Sequence, residues 1–295
     1  MSDQLIQSKL IRWVEPNRGK TPPLHIASRG DRYSTVTGVA WLRDMGFVAV
    51  HRNGMKLAYF DLRAGDEPVA MIDLPCQTDD IAVKQLTDVD FEIAVSGCWN
   101  CAYVQMRLSL HEGAPPEFIE TQVVKFDERT FCHGVEYAPD GRLWLAFSTG
   151  ENPRIQVDEL FWHLPEPWGA RDICFNHATG EVYALAVSSN PKLQAYGEVE
   201  TSVWQLSKDK NDWRLIWKMG HVHADACRIR KDTIWFTDQL NDRIIGVDLT
   251  GRKQAQAIES KNLDFPHGLC ISSKGMMAVT NYGDSSVALF DISNI

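Results

Sequence analysis

The sequence predicts an all-β fold, a six-bladed β-propeller closed by its own N-terminal strand, and three observations carry that prediction. Short apolar strands alternate with Gly, Asp, Asn and Pro turns, and no helical period lies between them. Similar strand openings recur roughly 40 to 55 residues apart, the spacing of propeller blades. The last copy carries only three strands, and the start of the chain offers a spare one.

The spare strand is Lys9-Leu10-Ile11-Arg12-Trp13-Val14, which alternates as an edge strand should. The whole chain, 1–295, reads as one propeller domain: 1–34 form the outer closing strand plus a loop, and blades start near 35, 79, 132, 170, 223 and 266. Thr37-Gly38-Val39-Ala40-Trp41 opens the first blade, and Asp79-Asp80-Ile81-Ala82-Val83 a weaker second. The third runs His133-Gly134-Val135-Glu136-Tyr137, the turn Pro139-Asp140-Gly141, then Leu143 to Phe147. Arg171 to Phe175, the turn Ala178-Thr179-Gly180 and Glu181 to Leu185 repeat it, as do Asp225 to Ile229 and Thr233 to Asp238. Phe265 to Ile271, Met276 to Thr280 and Ser286 to Asp291 end the chain. A single blade cannot bury both faces, whereas a closed ring covers every face and leaves short edges. Two stretches exceed ordinary turns, Glu15 to Tyr33 and Val187 to Glu200, and the second is expected to overhang the channel as a lid.

Composition narrows the function. Of 295 residues 44% are hydrophobic, ample for a core. The N-terminus has no basic-then-apolar leader pattern and no apolar run reaches membrane length, so a soluble, cytoplasmic protein is expected. A net charge of −9 without a Lys/Arg run argues against nucleic-acid or membrane partners. Seven cysteines exclude a fully paired disulfide framework. Cys98-Trp99-Asn100-Cys101 has C-x-x-C spacing but no second pair, which favours reduced thiols.

In a propeller the starts of the innermost strands meet at one end of the channel. Aligning the copies puts Thr37, Asp79, His133, Arg171, Ala224 and His267 in one row, followed by Gly38, Asp80, Gly134, Asp172, Asp225 and Gly268. Two positions further on stand Ala40, Ala82, Glu136, Cys174, Cys227 and Cys270, where cysteine serves as a small hydrophobe. The first two rows gather His, Arg and Asp, a cluster costly unless paired or hydrated and suited to proton transfer. His221, His223 and Asp225 share one strand face, an imidazole–carboxylate arrangement for metal. Trp99, Asn281 and Tyr282 lie on turns that reach the same mouth, and the two rings offer an aromatic wall for a ligand.

Phe265 to Ile271, His133 to Phe147 and Ile234 to Asp248 resemble the NHL-repeat and gluconolactonase (regucalcin)-like six-bladed group, and the Pro-His-Gly opening resembles virginiamycin B lyases. The resemblance covers about half the chain and implies fold more than function. In the gluconolactonase group an Asn before the opening Gly helps hold a divalent metal; His133 and His267 stand there, with Glu15 and Asp225 as partners. In the lyases the Pro-His-Gly histidine is the acid/base, a place that His267 takes, while Phe265 stands where those enzymes carry a metal-binding Glu.

The expectation is therefore an enzyme acting on a small polar molecule, of lyase or ester/lactone hydrolase type. His267, His133, Asp172 and Asp225 are its expected catalytic groups. Arg171, Asp79, Asp80, Trp99, Tyr282 and Asn281 are expected to bind substrate. His223, Asp225 and Glu15 are the expected ligands of a divalent metal (Ca, Mg or Zn). The alternative is a non-catalytic propeller that binds a small ligand or protein on its top face.

Overall fold

Turns that the sequence marks do set the strand boundaries. Gly141 and Gly275 take φ of 84° and 85°, a backbone region open to glycine, and each closes the hairpin between the first two strands of its blade. The computed structural model describes residues 8–13, 15, 35–43, 46–97, 103–125, 130–150, 152–188, 199–209, 212–250 and 255–295. Over these residues the chain forms six antiparallel sheets of four strands and no helix. Most of the Val187–Glu200 loop, including the expected lid, lies outside the described residues, as do Cys98, Trp99 and Cys101.

The innermost strands are Val36–Arg43, Thr78–Gln85, Thr130–Tyr137, Trp168–Asn176, Cys227–Arg230 and Pro266–Ile271, in blades one to six. Each lies against the next, and the sixth lies against the first, so the ring closes around a central channel. A separate apolar cluster fills each gap between blades. Between blades four and five, for example, Tyr183, Leu185 and Val203 meet Ile234, Phe236 and Ile245. The channel ends of the inner strands approach so closely that a Cβ on Gly134 would lie 2.6 Å from the Arg171 carbonyl of the next blade.

Closure uses the N-terminal strand, as the sequence predicts. Ser8–Arg12 pairs antiparallel with Ser286–Asp291, placing Leu10 opposite Ala288 and Ile11 opposite Val287. Its alternation matters because both blade faces are covered: Leu10 packs toward blade five and Ile11 toward blade one. Ile11 and Trp13 are 1% and 4% exposed, and Trp13 meets Phe60 edge-on. Ile11→Ala is expected to cost at least about 2 kcal/mol, the range for emptying a buried aliphatic site. Denaturant unfolding checks this; an unchanged midpoint would mean that the strand does not seal the ring.

Candidate active site at the channel mouth

The inner strands break register where they enter the channel. Their ladders skip between Val36 and Val39, Thr78 and Ile81, Cys132 and Gly134, Ala170 and Asp172, and Pro266 and Leu269. Thr37, Asp79, His133, Arg171 and His267 sit in these breaks, a device that re-aims side chains beside functional sites. Hydroxyls on the second strands fix the register. Ser96 Oγ accepts from Asp80 N–H and donates to the His133 carbonyl of the next blade. Thr280 Oγ1 does the same between Gly268 N–H and the Thr37 carbonyl, and Thr237 Oγ1 between Ala226 N–H and the His267 carbonyl.

This register corrects the sequence alignment in blade five. Ala226 is the equivalent of Asp80 and Gly268, so Asp225, and not Ala224, joins the row of Asp79 and His267. Arg228, and not Cys227, then follows two positions on, in line with Glu136 and Cys270. The row reads Thr37, Asp79, His133, Arg171, Asp225, His267, a Asp-then-His pattern repeated half a ring apart.

Four of these side chains converge. His133 Nε2 lies 3.2 Å from Asp225 Oδ1 and 3.9 Å from Asp79 Oδ2. His267 Nε2 lies 3.7 Å from Asp225 Oδ2 and 3.9 Å from Asp79 Oδ1. All four residues are buried, and the two imidazoles stack at 5.7 Å with Tyr282 stacked on His267 at 5.4 Å. His133 Nδ1 lies 2.9 Å from the Arg171 carbonyl, which only a ring N–H can satisfy, so Nε2 is the nitrogen turned inward. Asp79 Oδ2 and Asp225 Oδ1 are buried without a hydrogen-bond partner. Burial pushes the His267 pKa down to about 4 against the pull of Asp225 and Asp79. Burial also opposes the charge on Asp225, but the imidazoles of His223, His267 and His133 hold its pKa well below the usual carboxylate range.

Guanidinium groups flank this cluster. Arg52 Nη1 donates to Asp79 Oδ1 at 2.7 Å. Arg171 Nη1 stands 3.7 Å from Asp225 Oδ1, and its Nη2 lies 3.5 Å from His223 Nε2. His223 Nδ1 in turn donates to Gln239 Oε1 at 2.7 Å, and burial lowers its pKa. Arg52 and Gln239 were not anticipated; they stand on the turns after second strands, where only the row of inner-strand starts was aligned.

A second polar layer surrounds Arg228. Its Nη1 donates to Asp172 Oδ2 at 2.8 Å, Nε lies 3.3 Å from Glu136 Oε2, and Nη2 lies 3.8 Å from Asp80 Oδ1. Asp172 and Asp80 also strap neighbouring blades: Asp172 Oδ2 accepts from Cys227 N–H and Asp80 Oδ2 from Val135 N–H. Burial raises Asp80 and Glu136 to about 7 and Asp172 to about 6. Asp172 and Asp80 therefore belong to this layer and not to the mouth cluster. Asn281 is engaged in its own turn, bonded to Asn262, Asp264 and Ser286. Glu15 is held by Trp13 Nε1 and Lys56 in blade one, while Trp99 lies outside the described residues. Among the described residues, Asp79, His133 and His267 bring three ligand atoms within 4.8 Å of one another.

No family model matches the chain, and no curated protein matches it. Solved structures do. A catalytically inactive His-to-Ala virginiamycin B lyase from Staphylococcus aureus, with quinupristin, is 11% identical over 97% of this chain and 100% of that one, with a TM-score of 0.58. The PQQ-bound aldose sugar dehydrogenase of Streptomyces coelicolor is 8% identical over 97% and 98%, with a TM-score of 0.61. A nidogen/laminin complex is 13% identical over 89% and 97%, with a TM-score of 0.57. At these identities the chain shares the β-propeller fold with an enzyme of each of two kinds and with a protein of an assembly, and the likeness reaches no further than fold.

Proposed function

We propose that the channel mouth is the active site of an enzyme acting on a small polar molecule, of lyase or ester/lactone hydrolase type. One observation carries the reading: two carboxylates and two imidazole Nε2 atoms face one another in a buried space, and two of the oxygens have no hydrogen-bond partner. A structural cluster would satisfy those atoms, because an unmet buried acceptor costs about 1–3 kcal/mol. Acceptors kept in that state bind positive charge. A proton there makes an imidazolium that serves as a general acid, and a cation there draws on the negative charge that develops on a substrate oxygen. Arg171, with 22% of its side chain exposed, orients an anionic substrate group from the rim.

Virginiamycin B lyase supports the reading, since a single histidine replacement is described as inactivating it. The rival reading, a propeller that only binds, predicts saturable ligand uptake without turnover. Wild-type protein assayed on a panel of small lactones, cyclic esters and hydroxy acids tests the choice. Turnover that disappears in His267→Ala supports the enzyme, whereas turnover independent of His267 contradicts this centre.

A further inference from the structure

The position between the acceptors has the donor chemistry of a metal site. We infer that Asp79, His133 and His267 bind a divalent transition-metal ion of the zinc class, with Asp225 beside its remaining coordination position. This rests on the reading of the mouth as the reaction centre and names the positive charge held there.

Several independent features agree. The ligand atoms of Asp79, His133 and His267 lie within 4.8 Å of one another, and all three residues are buried. Tetrahedral zinc with ligands at about 2.0–2.1 Å needs neighbouring donors about 3.3–3.4 Å apart. Asp79 Oδ2 lies 3.9 Å from His133 Nε2 and Asp79 Oδ1 lies 3.9 Å from His267 Nε2, and rotation of the side chains would draw one oxygen and the two imidazoles together from separations within 4.8 Å. The outer contacts are also in place. His133 donates Nδ1–H to a backbone carbonyl, the usual bond that fixes a ligating ring with its other nitrogen toward the ion. Arg52 holds Asp79 Oδ1 and leaves Oδ2, which has no hydrogen-bond partner, facing His133.

Ligand type then selects the metal. Calcium and magnesium take oxygen donors, whereas a pair of imidazoles with one carboxylate suits zinc and leaves a position for a substrate or water oxygen. Asp225, 3.2 Å from His133 Nε2, is the carboxylate beside that position. The ligands differ from the expected set: Asp79, His133 and His267 replace His223 and Glu15, with Asp225 alongside.

Calorimetric titration of chelator-stripped protein with zinc, and absorption spectra with cobalt(II), test this. One equivalent is expected to bind, with the strong visible bands of four-coordinate cobalt. His267→Gln and Asp79→Asn are expected to weaken binding at least 100-fold, and Glu15→Gln to leave it unchanged. Calcium is expected to give no saturable heat. Circular dichroism confirms that each variant is folded; should Asp79→Asn unfold, His267→Gln alone decides. Folded wild type that binds no zinc, or binding unmoved by His267→Gln, overturns the inference. Turnover by metal-stripped protein would remove the metal and leave the active site standing, whereas stoichiometric zinc with turnover unaffected by His267→Ala would do the reverse.

Discussion

His267→Ala is expected to lower turnover roughly 10²- to 10⁴-fold, the span for losing an acid–base group, and to leave the ring folded. His267 contributes Nε2 to both carboxylates of the mouth and its ring face to Tyr282 and His133. No ladder bond depends on the side chain, because the register break at Pro266–Leu269 leaves the neighbouring backbone to Thr237 and Thr280 hydroxyls. Melting temperature and turnover measured on one preparation separate the roles. A variant that melts early while its folded fraction keeps full turnover would make His267 a structural residue.

The second large effect belongs to the Arg228 layer. Arg228→Met is expected to destabilise the protein by about 3–5 kcal/mol, the cost of stranding buried charges by removing one partner. Burial opposes the charge on Arg228, but Asp172, Glu136 and Asp80 hold its pKa above the ordinary guanidinium value. Those three carboxyls already have raised pKa values in the folded state, about 6 for Asp172 and about 7 for Glu136 and Asp80. A carboxyl raised in this way contributes stability that is fully present below its unfolded pKa and is lost as pH rises through the folded one. Without Arg228 the folded values climb further, so the deficit is expected to be larger at pH 8 than at pH 5. Urea unfolding at the two pH values measures it; an equal deficit at both would mean that Arg228 acts through packing alone.

The fold was readable because blade grammar is local: Pro139-Asp140-Gly141 and Ser273-Lys274-Gly275 announce their hairpins, and Lys9 to Val14 alternates as a two-faced strand must. Four members of the mouth row, Asp79, His133, Arg171 and His267, were likewise visible as residues at strand openings. Asp225 was recognised as a site residue but placed one position late, because the approach through His221-Val222-His223-Ala224 obscures the start of the strand. His221 there has φ of 58°, and regular pairing begins only at Cys227. That slip also hid Arg228 behind Cys227. Asp172 looked like a catalytic carboxylate and Asp80 like a substrate-binding one because composition cannot tell a side chain aimed across the channel from one that straps the next blade. Arg52 reaches Asp79 from another blade, and Gln239 reaches His223 from the far end of a second strand. The first pairing exists only once neighbouring blades pack, and the second only once the hairpin of blade five has formed.

The central claim is that the mouth cluster does chemistry, and turnover by Asp225→Asn, measured beside its folded fraction, tests it most directly. The amide keeps the shape of the carboxylate and presents its single NH2 group to His133 Nε2 from the position that Asp225 Oδ1 holds at 3.2 Å. It also removes the charge on the buried oxygen that lacks a hydrogen-bond partner. Because the folded protein holds the Asp225 pKa well below the usual carboxylate range, removing that charge is expected to lower the thermal midpoint at neutral pH. The account predicts a folded variant with a lower midpoint and with turnover lost. A folded variant that keeps wild-type turnover would contradict it.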